Sequence, residues 1–365
     1  MQNVIKSHLP AFGQQGVGAG KSSAGSRLII SVVDQPDPRP VWISVWGGVN
    51  CLAQALWDVR ATRSQAELDQ FVAKLRVYTI SDQDDSGRWL RLEFPNLFYI
   101  VSPSNTDWQE YHKATWTGIS GDRHYRNGPW HKFELVDNPW LREHIMNHHG
   151  PLGKLYPEVA YIMEGDTPSF FSLINNGLGS ALSPAYGGWG GRYQLYQTYA
   201  ETHPLWTNAL FSRDSVTAEN GVAYISDQAT IWRWREDFQF DFAARMDWCV
   251  ADKFEAANHN PVVVLNGNAT KDILKMEVKP GQTVNLRAAG TTDPDGNALS
   301  YHWWVYREAG SFAGEIDLAT PDRDQTRFIS PQVPKRSEIH VILTVKDNGE
   351  PALTSYRRAI ILIKD

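Results

Sequence analysis

A strand, helix, strand alternation governs the first two thirds of the chain and stops at Asn258-His259-Asn260-Pro261. Leu28-Ile29-Ile30-Ser31-Val32-Val33 and Val41-Trp42-Ile43-Ser44-Val45 are short apolar runs, the second lying between Pro40 and Gly47-Gly48. Both read as buried strands. Asn50-Cys51-Leu52-Ala53-Gln54-Ala55-Leu56 opens a helix, and Ser64-Gln65-Ala66-Glu67 has the spacing of a capping box for the next. Leu68, Phe71, Val72 and Leu75 fall on one face of that second helix. Further strands are expected at 76–80, 97–101 and 159–162, and a helix at 236–248. This alternation predicts an α/β fold with a parallel, doubly wound sheet, which carries ligands at the carboxyl ends of its strands.

Beyond Pro261 the pattern becomes short alternating segments: 262–265, 283–286, 299–306, 340–345 and 358–363, with turns such as Asp293-Pro294-Asp295-Gly296-Asn297 between them. That is the signature of a β-sandwich. The expected organisation is a flexible segment over 1–26, an α/β domain over 27–257 and an all-β sandwich over 261–365. Asp293, Asp295 and Asn297 have calcium-ligand chemistry, but a type I turn accounts for the same residues.

Charge and composition exclude several partners. Thirty-five Lys and Arg stand against 41 Asp and Glu, for a formal charge of −6, with the basic residues scattered. Nucleic acid and anionic membrane surfaces are poor partners for such a chain. No apolar run approaches the roughly 18 residues of a membrane span. The N-terminus has no basic region followed by an apolar one and so is no signal peptide as it stands. Gly16-Val17-Gly18-Ala19-Gly20-Lys21-Ser22 imitates a phosphate-binding loop, yet Gln15 occupies a required glycine position and no strand precedes it. A flexible Gly/Ser loop fits better. Cys51 and Cys249 stand alone, which leaves the redox compartment open. Glu143, His144, His148 and His149 have partial metal spacing in a turn that Gly150-Pro151 terminates. Neither a nucleophile elbow nor an H-E-x-x-H motif occurs.

The strand ends hold the candidate chemistry. Trp46-Gly47-Gly48-Val49-Asn50 follows the strand at 41–45, and Ser81-Asp82-Gln83-Asp84-Asp85 follows that at 76–80. Three carboxylates within four residues need a cation, an Arg or raised pKa values. Glu164-Gly165-Asp166-Thr167 sets another acid before Phe170-Phe171, and Gly187-Gly188-Trp189-Gly190-Gly191-Arg192 frames a Trp and an Arg in glycines. With 15 Trp, 14 Tyr and 14 Phe, the chain is rich in rings whose faces suit the apolar faces of sugars. Large α/β cores consume Trp as well.

These segments together, with Asp241-Phe242-Ala243-Ala244-Arg245-Met246-Asp247-Trp248, resemble the bacterial cellulose-binding protein family. That family joins a nucleoside-hydrolase-like domain to a C-terminal immunoglobulin-like domain and accompanies plant-polysaccharide degradation. The resemblance spans nearly the whole chain. It implies an oligo- or polysaccharide ligand and a secreted or periplasmic location. Nucleoside hydrolases cleave an N-glycosidic bond with calcium-bound water. By the resemblance, Asn50 takes the calcium ligand's turn position and Asp241 the late Asp position. The family's first strand and Asp-rich cluster are expected ahead of the segment read here, which starts after them. Asp82, Asp84 or Asp166 would then have to complete a calcium site.

Two readings follow. In the first the chain is a glycosidase acting on cellulose or a related β-glucan, its acid and its base or nucleophile drawn from Asp82, Asp84, Asp166 and Asp241. Trp46, Asn50, Asp85, Thr167, Trp189 and Arg192 would then contact the sugar. Carboxyl separations of about 5 Å or about 6.5–9.5 Å would decide retention or inversion. In the second, the same aromatic residues and acids bind a glucan without cleaving it. Exposed sheet edges leave a homodimer open.

Overall fold

The computed structural model describes residues 11–101, 132–160, 164–197, 201–208, 212–218 and 221–364. The chain divides into two compact units. One comprises Met1–Gly118, Gly165–Phe170 and Tyr193–Ser212, the other Ile119–Glu164, Phe171–Arg192 and Arg213–Asp365.

The first unit is built on a five-stranded sheet of β1 (Val41–Val45), β2 (Leu75–Thr79), β3 (Phe98–Val101), β4 (Gln194–Tyr196) and β5 (Leu205–Thr207), in the order β1-β2-β3-β5-β4. All pairings are parallel except β4 with β5. Its helices are α1 (Ala24–Val33), α2 (Asn50–Thr62), α3 (Gln65–Lys74) and α4 (Ser86–Glu93). The expected capping box starts α3: the Ser64 hydroxyl accepts from the Glu67 N–H, and Glu67 accepts from the Ser64 N–H. Leu52, Leu56 and Val59 of α2 and Leu68, Phe71 and Val72 of α3 pack with Val77, Tyr99 and Val101 of the sheet into one apolar core. Parallel strands start together and end together, so the turns after β1 and β2 emerge on the same edge.

Two expectations fail in this unit. The run at 28–33 is the second half of α1, not a strand. Ser23 caps that helix, accepting from the Ser26 N–H at 3.1 Å while the Ser26 hydroxyl accepts from the Ser23 N–H at 2.9 Å. Ile29, Ile30 and Val33 then turn inward at helical spacing, leaving Leu28 and Val32 exposed at 44% and 42%. A six-residue apolar run carries no periodicity that separates the two outcomes. Nor is the glycine-rich segment a loose loop. The Gly18 N–H donates to Gln54 Oε1 at 2.8 Å, Gln54 Nε2 donates to the Gly18 carbonyl at 3.1 Å, and Lys21 Nζ folds back on the Gln15 carbonyl at 2.6 Å.

In the second unit β8 (Leu274–Val278), β10 (Ser300–Val305), β12 (Ser337–Lys346) and β13 (Thr354–Ile363) form a sheet ordered β10-β12-β13-β8, and β9 (Thr283–Arg287) pairs with β11 (Gln325–Ile329). Val284, Leu286, Trp303, Phe328, Val341, Leu343, Ala359 and Ile361 fill one core, as in a sandwich. The expected strand at 262–265 is reduced to single bridges, Val262 with Thr292 and Leu265 with Asn268. A hairpin of β6 (Asp214–Thr217) and β7 (Ala223–Ser226) precedes α5 (Arg235–Trp248). Both faces of β13 are buried: the odd positions from Ala359 to Ile363 face the core, while Tyr356 and Arg358 bond to Asn176, Asp237, Leu178 and Gly187. Of the strand expected at 159–162, Val159 and Ala160 are irregular and the remainder lies outside the described residues.

Burial makes opposite predictions for Leu56 of α2 and Leu28 of α1. Leu56→Ala empties a fully buried position and should cost about 2–5 kcal/mol in urea unfolding. Leu28→Ala should stay within about 0.5 kcal/mol, whereas a buried strand there would make it as costly as the first.

Candidate functional site

At the carboxyl end of β1 the chain leaves the sheet as Trp46, which is 56% exposed. Its ring is fixed. Nε1 donates to Ser169 Oγ at 2.8 Å and to Ser44 Oγ at 3.0 Å, and the two serine hydroxyls also contact each other. Ser169 Oγ in turn donates to the Asp166 carbonyl at 2.8 Å. Phe170 lies 6.1 Å from Trp46, centroid to centroid, tilted by 41°. An indole whose only polar atom is satisfied from behind presents an apolar face to solvent.

The acidic turn after β2 answers its own repulsion three ways. Asp82 forms two hydrogen bonds with Arg91, at 2.9 and 2.8 Å, and Arg91 also reaches Glu201 at 2.6 Å. Burial works against the Arg91 charge, but Asp82 and Glu201 more than offset it and hold the guanidinium protonated. The Tyr99 ring lies 5.1 Å beneath it. Asp84 sits in the opening between β1 and α2, accepting from the Ser86 N–H at 2.9 Å. Burial raises its pKa, while backbone N–H groups of Ser86, Val49 and Asn50 pull the other way. Gly48 makes that seat, because a Cβ there would stand 2.3 Å from Asp84 Oδ2. Asp85, exposed, accepts from the Gln14 N–H at 2.7 Å and ties down the N-terminal segment.

Asp166 differs from these acids. Burial alone lifts its carboxyl to about 6; its Oδ1, like Asp84 Oδ2, is buried and has no hydrogen-bond partner among the described residues. It shares the turn 165–170 with Ser169 and Phe170, the residues that hold and flank Trp46. Half-protonated at about pH 6, such a carboxyl can donate or accept.

Other expected site residues are committed elsewhere. Thr167 is buried within the same turn, and Asn50 donates to the Ala11 carbonyl at 3.4 Å. Trp189, Arg192 and Asp241 belong to the second unit. Trp189 is a core residue at 1% exposure, packed on Phe171, Phe238 and Tyr356. Arg192 is buried against Asp214 at 2.8 Å, where Arg233 and Tyr306 also converge at 2.8 and 2.5 Å. Asp241, buried on α5, accepts from Arg245 at 2.6 Å. The glycines around Trp189 serve packing: at Gly187, with φ +72°, a Cβ would meet the Tyr306 hydroxyl at 2.4 Å.

The donor set does not fit calcium. A hard divalent ion takes six to eight oxygens, whereas both Asp82 oxygens face Arg91 and Asp84 and Asp85 each accept from a backbone N–H; the unpartnered Asp84 Oδ2 and Asp166 Oδ1 are too few. Among the described residues no three His, Cys, Asp or Glu side chains gather as a metal site, the 143–149 cluster included. His149 pairs with Asp247 at 2.9 Å instead. Sequence reasoning missed Ser44, Ser169, Phe170, Arg91 and Glu201. The unpaired acids of the turn called for an Arg, and Arg91, placed in the helix that follows, was the available signal; Glu201 lies 110 residues further on and gave none.

Residues 1–193 match the family described as cellulose-binding Sde182, nucleoside hydrolase-like domain. Residues 283–363 match that described as cellulose-binding protein Sde0182, C-terminal domain. Among solved structures, a nucleoside hydrolase-related hypothetical protein from Saccharophagus degradans, associated with carbohydrate metabolism, is 38% identical over 99% of this chain and 80% of its own, with a TM-score of 0.78. The PKD domain of the KIAA 1837 protein is 19% identical over 25% of this chain and 80% of its own, and its TM-score of 0.20 is too low to bear on the fold. No curated protein matches the chain. No helix among the described residues is long and apolar enough to cross a membrane.

Two outcomes test the charge assignments. Arg91→Met leaves Asp82 and Glu201 facing each other and should cost about 3–5 kcal/mol in denaturant unfolding, partly recovered by adding Asp82→Asn and Glu201→Gln. The Asp166 carboxyl, raised from 3.8 to about 6, lends stability that is complete below 3.8 and lost as pH rises through about 6. The Tm of Asp166→Asn relative to the parent chain should therefore climb between pH 4 and pH 8, and a flat difference would contradict the raised value.

Proposed function

This chain belongs to the cellulose-binding Sde182 family with its nucleoside hydrolase-like domain, and we propose that it is a saccharide-binding protein that holds β-glucan chains of the cellulose type on the Trp46 surface. The observation that carries this reading is the exposed indole pinned by Ser44 and Ser169 at the sheet's carboxyl edge. A ring already immobilised loses little side-chain entropy when a sugar stacks on it. Phe170 extends the apolar surface, and Asp166 supplies a hydrogen bond to a hydroxyl at the same turn. Polymeric glucan lies outside cells, so the proposed site of action is periplasmic or extracellular, in keeping with the cellulose-binding family.

Hydrolysis is the second reading, and the raised Asp166 carboxyl favours it, because a general acid works best near the ambient pH. A glycosidase also needs a second carboxylate. Asp82 is neutralised by Arg91, which leaves Asp84 as its partner in the same unit.

The discriminating experiment incubates the full chain with insoluble cellulose, scoring pelleted protein and released reducing ends in the same tubes, with and without calcium. Pelleting without release is expected, and Trp46→Ala should weaken pelleting by roughly tenfold, the equivalent of about 1.4 kcal/mol. Release abolished by Asp166→Asn would replace binding by hydrolysis. Pelleting unaffected by Trp46→Ala would remove the aromatic platform from the account.

A further inference from the structure

The β-sandwich of the second unit carries a cavity of about 770 Å³ at the outer edge of its larger sheet, lined by Leu299, Ser300, Tyr301, His302, Thr344, Lys346 and the segment 322–324. Its construction follows from register. Ser300 and His302 of β10 pair with Lys346 and Thr344 of β12, and since alternate residues share a face, these four side chains form one polar floor. The wall is fixed to that edge, because the Trp303 N–H donates to the Pro321 carbonyl at 2.7 Å and Trp303 Nε1 to the Arg323 carbonyl at 2.8 Å. Asp322 reaches the floor, bonded to His302 Nδ1 at 2.7 Å, while the Arg323 carbonyl meets Trp303 on the core side of the strand. Next along the floor Trp304 is covered by Trp234, and Lys346 lies over Phe240 of α5, so the groove ends where the helical layer begins.

We propose that this groove is a second saccharide subsite, taking a neutral oligosaccharide. Two carboxylates, Asp322 and Asp324, are interleaved with Arg323 and Lys346, so an anionic ligand meets carboxylates and a cationic one meets the basic groups. Neutral hydroxyls, which donate and accept at once, satisfy both. The volume lies within the range of about 300–1,000 Å³ usual for ligand sites. The inference rests on the saccharide reading above but uses none of the residues of the Trp46 surface.

The test is calorimetric titration of the full chain with cellohexaose, using Trp46→Ala, the pair His302→Ala with Asp322→Ala, and their combination. His302 and Asp322 are exposed, so the pair should fold normally. Trp46→Ala should keep a measurable site, and the combined variant should bind about tenfold more weakly still, as expected for lost hydrogen bonds to charged groups. Complete loss with Trp46→Ala alone would overturn the groove and leave the first reading standing. Loss with the pair alone, with Trp46→Ala silent, would do the reverse. Insensitivity to every variant would overturn both. Tighter binding of oligogalacturonate than of cellohexaose would overturn the neutral class of ligand.

Discussion

Arg91 makes the carboxyl edge of the sheet possible. An acidic turn of three Asp residues in four positions would unravel by mutual repulsion unless its charges were taken up separately. Arg91, buried at the foot of the turn, takes Asp82 on one side and Glu201 on the other. That frees Asp84 to fold inward against the backbone N–H groups around the start of α2, and Asp85 to face outward and hold the N-terminal segment. The position of α2 relative to β1 therefore depends on a charge balance that closes only when a segment 110 residues away returns to the sheet. A buried pair of this kind adds little net stability compared with apolar packing, but it penalises any arrangement that leaves one member alone. Its contribution is to geometry.

Much of the scaffold was legible in the sequence because it is local. The strand at 41–45 is bounded by Pro40 and by glycines, and the capping box at Ser64 and Glu67 is contained in four residues. The alternation of strand and helix gave the parallel sheet, and the change of period after Pro261 gave the sandwich. The run at 28–33 was misread because six apolar residues fit either period; its deciding feature, the Ser23 and Ser26 cap, lies outside the run. The segment around Gly18 looked unstructured because its partners, Gln54 and Asp85, come from elements formed later in the chain.

The site was less legible, for a related reason. Trp46 and Trp189 look alike in sequence, each an aromatic beside glycines, yet one lies at a strand end with its face in solvent and the other is wedged among Phe171, Phe238 and Tyr356. Glycine beside a ring permits close approach, and the sequence does not say whether a ligand or another part of the fold does the approaching. Arg192 repeats the ambiguity: the guanidinium expected to meet hydroxyls meets buried Asp214 instead. Aromatic abundance was thus shared between packing and surface, and only burial separates them.

What distinguishes binding from bond cleavage at the Trp46 surface is the number of carboxyl groups that a sugar can reach. Cleavage of a glycosidic bond asks one carboxyl to hold a proton while another stays charged, both open to the sugar. In the unit that carries Trp46, the charge of Asp82 is spent on Arg91, Asp84 is turned toward the backbone and Asp85 toward Gln14. Asp84 Oδ2 and Asp166 Oδ1 each lack a hydrogen-bond partner among the described residues, but Asp84 is buried whereas Asp166 is half-buried. A single carboxyl poised near 6 suits recognition well, because it donates to a hydroxyl when protonated and accepts from one when ionised. Binding on this surface is then tolerant of pH, whereas catalysis would demand from Asp84 an exposure that the β1–α2 opening, closed around Gly48, denies it.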